Sequence, residues 1–428
     1  MSSMPVTAHA LEPLEAYADL LGAEAVDHLR ELAEPLRGAR ILHLSITASE
    51  THNARVLSAT VPLLQDLGLD VRLAVPAHTR DFDQLAGPLL AAIQGDDRAW
   101  IPGLERVWQR FADECATQIS QEADLVIVHD PHLLPLRSAL SSRQIRRSRW
   151  LWHCHLDLRD CEPRVLAMLR DHMNNYAGVA VELPDFAGEQ PPEILALIPP
   201  VIDPRAERNR ELTASIVDPV LRRLRIRPDL PLVVQVSPFD KWDDPQAAIY
   251  TYQLAAKAIP NLQLALVWTP DFPKETGDNP FDFLSKSAHE DPNIHLLRGR
   301  DLSEVQINAL QGAAAVAVHG GIHRGYSAAL LESSWKGRPV LAGGCGALPN
   351  QIVDGTTGFI FESFNDAAER ITQLVADPVL ADTMGLAGYR MVRNNHLVIR
   401  WLEEYLKLIT PASDRMVVNV PDRPIAKH

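Results

Sequence analysis

Residues 231–259, PLVVQVSPFDKWDDPQAAIYTYQLAAKAI, set a short apolar run, PLVVQVS, ahead of a helical pattern, PQAAIYTYQLAAKAI. Apolar residues recur in the second part at three- and four-residue spacing, the period of a helix, and the first part has the length of a buried strand. The same alternation runs along the chain. RILHLSI, VRLAVPA, ADLVIVHD and RWLWHCHLD precede it, LQLALVW, IHLLRG, AAVAVHGG and PVLAGG follow it, and ARVLSATVPLLQDLG is one of the helical patterns between them. Repeated strand-helix units imply parallel sheets covered by helices on both faces, an α/β doubly wound fold. In such folds ligands bind beyond the carboxyl ends of the strands, so the informative residues are those just after each run.

The 428 residues suggest two lobes rather than one core. Strand-helix alternation pauses at IPPVIDPRAERN, residues 198–209, where prolines break regular structure and charge rises. The expected division is therefore a first lobe over 1–200, a second over 201–390, a long amphipathic helical segment over 391–412, RMVRNNHLVIRWLEEYLKLI at its heart, and a polar tail over 413–428.

With 41 Lys and Arg against 55 Asp and Glu, the formal charge is −14, which disfavours nucleic acid and anionic lipid as partners. The four cysteines lack a metal-ligand spacing and read as reduced thiols. No ligand cluster is legible in linear spacing, so no metal is expected. No signal peptide or long apolar run is present, and a cytoplasmic location is expected.

The strings LRELAEPLRGARILH, VPLLQDLGLDV, LVIVHDPH, WHCHLDL, IPPVIDP, QVSPFDKWDDP and LLESSWKGRPVLAGGCGALPNQIVDGTTGF carry a resemblance, in order and over most of the chain, to the trehalose glycosyltransferring synthases of retaining glycosyltransferase family 4. The resemblance implies a GT-B fold: two Rossmann-like lobes facing a central cleft, the acceptor lobe first, the nucleotide-sugar lobe second, and a C-terminal helix crossing back to the first. It implies no cofactor, a nucleoside diphosphate sugar as candidate donor, and sugars or sugar phosphates as ligands, with a homodimer compatible.

Three departures from the family pattern surround the presumed phosphate site. Where the family string resembles S-R-F-D-R-W-K-D-P, this chain has Pro238 and Asp243 in place of the two cations. Proline also removes a backbone donor, although it equally suits a residue that merely ends a strand. Lys241 remains nearby, either solvated or turned to the ligand. In the E-x7-E motif, Arg324 stands at the first position and Glu332 at the second, so the ribose acid survives and the sugar acid does not. Arg324 reads as a solvated charge or as a substitute cation. In place of a Gly-rich turn after LHL the chain has Glu50, Thr51 and His52, a poor phosphate cradle but an ordinary capped helix start.

Other family positions persist. By resemblance His155 lies against the donor sugar, while His129, Asp130 and Asp157, with His52, face the acceptor. Gly343, Gly344 and Gly346 allow close backbone approach to the donor at a helix start. Taken by themselves, a histidine closing a strand, an Asp-Pro turn and a helix-surface Glu332 have ordinary structural readings.

The expected function is retaining transfer of a glycosyl group, glucosyl by resemblance, from an activated donor to a sugar-like or hydroxylated acceptor, with His155, Arg324 and Lys241 as catalytic candidates at a rebuilt donor site. Removing one transition-state donor typically costs about 3–4 kcal/mol, so lost cations keep two alternatives open. One is a pseudo-glycosyltransferase that binds a ligand or partner; the other is a non-glycosidic coupling.

Overall fold

The computed structural model describes residues 13–47, 51–77, 79–119, 122–140, 148–187, 194–238, 244–269, 280–320, 325–344 and 346–410. The described residues fall into two compact units. The first draws on Met1–Ile46, Thr60–Ile198 and Trp401–His428, the second on Thr47–Ala59 and Pro199–Arg400.

The first unit holds a six-stranded parallel sheet made of β1 (Arg40–Leu44), β2 (Asp70–Ala74), β3 (Leu125–Val128), β4 (Arg149–Cys154), β5 (Gly178–Val181) and β6 (Ile194–Leu197), in the order β2-β1-β3-β4-β5-β6. Helices α1 (Ala23–Ala33), α2 (His52–Asp66), α3 (Arg80–Ile93), α4 (Leu104–Ala116) and α5 (Pro163–Met173) run between or before the strands. Strands β3 and β5 are buried at every residue, as parallel strands covered on both faces must be.

The second unit repeats the plan with β7 (Leu232–Ser237), β8 (Gln263–Trp268), β9 (Ile294–Arg298), β10 (Val316–His319), β11 (Val340–Gly343) and β12 (Gly358–Phe361), ordered β12-β11-β10-β7-β8-β9. Counted from β7 and read from β9, this is the doubly wound 3-2-1-4-5-6 order. Its helices are α6 (Ala214–Arg223), α7 (Pro245–Ala255), α8 (Pro280–Glu290), α9 (Glu304–Ala313), α10 (Ala328–Trp335), α11 (Phe364–Ala376) and α12 (Pro378–Asn395), followed by α13 (Val398–Ile409). Alternate residues of β7 serve opposite cores. Val233 packs with Tyr252 of α7 and Ile371 of α11, whereas Val234 and Val236 pack with Leu221 of α6 and Ile307 of α9.

The described parts of residues 231–259 fold as their pattern implies, as β7 and α7. Asp244 caps α7 by accepting from Ala247 N at 3.1 Å, and Pro245 occupies the first helical position, where its missing N–H costs nothing. The late amphipathic segment differs from expectation, because α12 ends at Asn395 and α13 begins at Val398. Between them Leu397 forms a parallel bridge with Ile202, Ile202 N donates to His396 O (2.8 Å), Val398 N donates to Ile202 O (3.1 Å), and His396 Nδ1 donates to Pro200 O (2.9 Å). Those bonds use backbone groups that a continuous helix would need.

In α12 Gly385 lies against the turn after α10, and a Cβ there would stand 2.0 Å from Gly337 O and 2.7 Å from Gly337 C. Neither backbone atom can swing aside as a side chain can. Gly385→Ala is therefore expected to destabilise the protein by about 1–3 kcal/mol, the range for overpacking, measured as a lower urea midpoint. An unchanged midpoint would mean that α12 and the turn move apart freely.

Candidate functional site

In the first sheet the strand order reverses between β1 and β3, and the carboxyl ends of those strands and of β4 carry the polar cluster. Asp130 follows β3, and its Oδ2 accepts from Ser45 Oγ and Ile46 N, both at 2.9 Å, so it ties the two strand ends together. Burial raises its pKa, only partly offset by those two donors. Beside it, His129 Nε2 meets His43 Nδ1 at 2.9 Å and His129 Nδ1 meets His155 Nε2 at 3.2 Å. His155 Nδ1 in turn donates to Glu182 Oε1 at 3.3 Å. His153 Nδ1 lies 2.6 Å from the hydroxyl of Tyr405 on α13, while its Nε2 is buried without a hydrogen-bond partner.

Desolvation holds three of these rings, His43, His129 and His153, in the neutral form. Burial holds the pKa of His43 down to about 3, and pushes those of His129 and His153 well below the ordinary range, with the neighbouring histidines acting in the same direction. Burial raises Glu182 despite its bond to His155. Three ring nitrogens, one each from His129, His153 and His155, lie within 4.8 Å of one another. That is a metal-ligand constellation which linear spacing does not reveal.

His129, Asp130 and His155 are thus brought together. Asp157 is not part of that group: both its oxygens are engaged by Arg159, at 3.0 Å from Nε and 2.7 Å from Nη2, and Oδ1 also accepts Arg159 N. His52 opens α2 within the segment that belongs to the second unit. Thr51 caps that helix through Ala54 N (3.2 Å), as the capping reading has it.

In the second unit Glu332 corrects the surface reading of its helix. It is 2% exposed and sits in a charged cluster. Its Oε2 accepts from Gln311 Nε2 at 2.8 Å and lies 3.6 Å from Arg208 Nη1, and Oε1 lies 3.9 Å from Arg55 Nη2. Arg208 also binds Glu304 through Nε and, at 3.0 Å, through Nη2. Burial is the largest influence on Glu332 and pushes its pKa up, but Arg208, Arg55, Lys336 and Gln311 together bring it below the ordinary value. Burial pulls Lys336 down to about 7, with Glu332 opposing.

Pro238 follows the last residue of β7, and its carbonyl accepts Trp268 Nε1 at 2.8 Å, so it acts as the end of a strand. Gly343 closes β11, and Gly346 has φ +62°, a left-handed conformation that favours glycine. The helix beyond, Leu348–Gln351, is a single turn and supplies little dipole for a phosphate. Lys241, Asp243, Arg324 and Glu50 lie outside the described residues.

Sequence reasoning missed His43, His153, Glu182, Arg55, Arg208 and Gln311. One signal was available: in WHCH two histidines stand two residues apart, and a strand turns such a pair to one face.

Residues 43–188 match the family model described as trehalose synthase, N-terminal domain, and residues 220–391 match glycosyl transferases group 1. The trehalose synthase of Pyrococcus horikoshii is 30% identical over 400 residues, covering 92% of this chain and 95% of the relative. Among solved structures, the α,α-trehalose 6-phosphate synthase of Burkholderia multivorans is similar with a TM-score of 0.67 at 15% identity, over 87% of this chain and 98% of that one. Anabaena HepE, solved with UDP and glucose, gives 0.61 at 14% identity over 85% and 97%.

Breaking a buried ion pair by removing one partner costs about 3–5 kcal/mol. Glu332→Gln is expected near the lower end, because Arg208 retains Glu304. Chemical unfolding measures it, and a loss below about 1 kcal/mol, the level of an exposed pair, would show the cluster to be dispensable.

Proposed function

The chain belongs to the trehalose synthase family, its fold is GT-B, and from that premise we propose that it transfers a glycosyl group, with retention, from a nucleoside diphosphate sugar to a sugar-like hydroxylated acceptor. The observation that carries this reading is a likeness extending over nearly the whole of both chains. Within it, His129, Asp130 and His155 form the sugar-facing group of the first unit. Asp130 keeps Oδ1 without a partner among the described residues, an acceptor for a substrate hydroxyl. The dipoles near the reacting centre are fixed by burial and cost no reorganisation as charge develops.

On the donor side, Arg324 and Lys241 are the proposed substitutes for the family's cations, with Gly343, Gly344 and Gly346 giving backbone access. Among the described residues no helix is long and apolar enough to cross a membrane. The proposed setting is the cytoplasm, where the free thiols Cys115, Cys154 and Cys161 stay reduced.

A second reading is that the fold binds a ligand or partner without transfer. It is favoured by one observation, the engagement of Glu332 Oε2 by Gln311 and Arg208, which draws that oxygen away from a ribose hydroxyl.

A thermal-shift screen with UDP-, ADP- and GDP-glucose separates the two. A ligand specific for the folded state adds about 2.7 kcal/mol at a hundredfold excess over its Kd. The expected outcome is stabilisation by at least one nucleotide sugar and formation of an α-linked product, read by NMR. Stabilisation without turnover across a panel of sugar acceptors would support the second reading, and no stabilisation by any nucleotide sugar would overturn the first.

A further inference from the structure

We propose that His129, His153 and His155 form a binding site for a first-row divalent cation, best suited to zinc, with a fourth coordination position left open. The three rings offer nitrogens within 4.8 Å of one another. Tetrahedral zinc at its usual 2.0–2.1 Å from imidazole nitrogen holds two ligands ~3.4 Å apart. His129 Nδ1 and His155 Nε2 are already 3.2 Å apart. For any pair that includes His153 the closure needed is at most ~1.4 Å.

The nitrogens that would face away from such an ion are already engaged. A ligating histidine almost always engages its other nitrogen with a partner that fixes the ring. All three do so here, each with a different group: His129 Nε2 with His43 Nδ1, His155 Nδ1 with Glu182 Oε1, and His153 Nδ1 with Tyr405 Oη. Hydrogen bonding among the rings alone accounts for His129 and His155, which can share one proton. It leaves His153 Nε2 buried without a well-formed hydrogen bond, the backbone of Ile198 being, among the described residues, its one polar neighbour outside the histidines and Tyr405, in a residue 1% exposed. An unmet buried nitrogen is costly, and a metal ion would use its lone pair.

Charge agrees. Two carboxylates, Asp130 and Glu182, adjoin the histidines, and among the described residues no lysine or arginine pairs with either. A divalent cation held by three neutral imidazoles would balance both. Three neutral nitrogens favour zinc over the oxygen-seeking magnesium and calcium. A three-histidine set with one vacant position is the pattern of reactive rather than structural zinc. With Nε2 on the metal and Nδ1–H on Glu182, His155 has no atom left for a sugar, so a substrate hydroxyl would meet the fourth position instead. The site stands on the geometry of the first unit alone, which makes its test independent of the donor screen.

The test uses full-length protein, freed of any affinity tag, stripped with a chelator and titrated with Co²⁺ and Zn²⁺. Stoichiometric uptake is expected, with the intense visible absorption of four-coordinate cobalt and imidazole scattering in zinc X-ray absorption. His153→Gln should abolish the cobalt spectrum. Tyr405→Phe, which keeps the ring packing and removes only the partner of His153, should weaken binding about 10- to 100-fold. His172→Gln, at a histidine packed on Trp108 away from the cluster, should change nothing. Absence of stoichiometric binding by the wild-type chain overturns the proposal, as does a cobalt spectrum that survives His153→Gln. Should that variant fail to fold, unchanged affinity in Tyr405→Phe overturns it.

Discussion

Glu332 is a charged group nearly sealed from water, and a carboxylate in that position has to be met by opposite charge or remain protonated. Arg208 meets it from a segment with no regular structure, Gln311 from α9 and Arg55 from α2. Arg208 is itself buried and takes Glu304 as a second partner. Around this ion the irregular chain is fastened to the helices: Asn308 Nδ2 donates to the carbonyls of Glu207 and Arg210 at 2.8 Å, and Trp335 Nε1 donates to Asn209 O at 2.9 Å. The segment that enters the second unit is thus tied to α9 and α10 by side-chain hydrogen bonds.

The alternation in residues 231–259 carried the architecture because parallel strands covered on both faces must be apolar throughout, and a run such as PLVVQVS has few other uses. Strand order was beyond reach of that argument, since β7 pairs with β10 and β8 through contacts that leave no periodic trace. The segment 198–209 was read as a boundary from its prolines and charge. It is irregular, as they imply, but Arg208 and Asn209 are buried in it, because the charge that looked like solvated linker has its partner about a hundred residues away.

The site was legible in part. His129, Asp130 and His155 were found by position after strands, and they converge. Asp157 looked equivalent on the same grounds, yet an arginine two residues on takes both its oxygens, a local pairing that residue type alone does not announce. Pro238 stands where the family pattern has a cation, and in the fold it also ends β7. His43 and His153 escape a reading by position after strands because they lie within β1 and β4, where a histidine usually has a plain structural use.

The bond between His153 and Tyr405 joins residues 252 positions apart, and the same helix stacks Trp401 and Tyr405 near His43. Chains emerge from the ribosome at about 5–20 residues per second, so the strands of the first unit are made roughly 10–50 s before the helix that completes their polar end. In that interval the whole of Pro199–Arg400 is synthesised. The unit that is begun first is therefore finished last. Until α13 arrives, His153 Nδ1 lacks its partner, and the polar end of the first sheet is completed only after Pro199–Arg400 has been made.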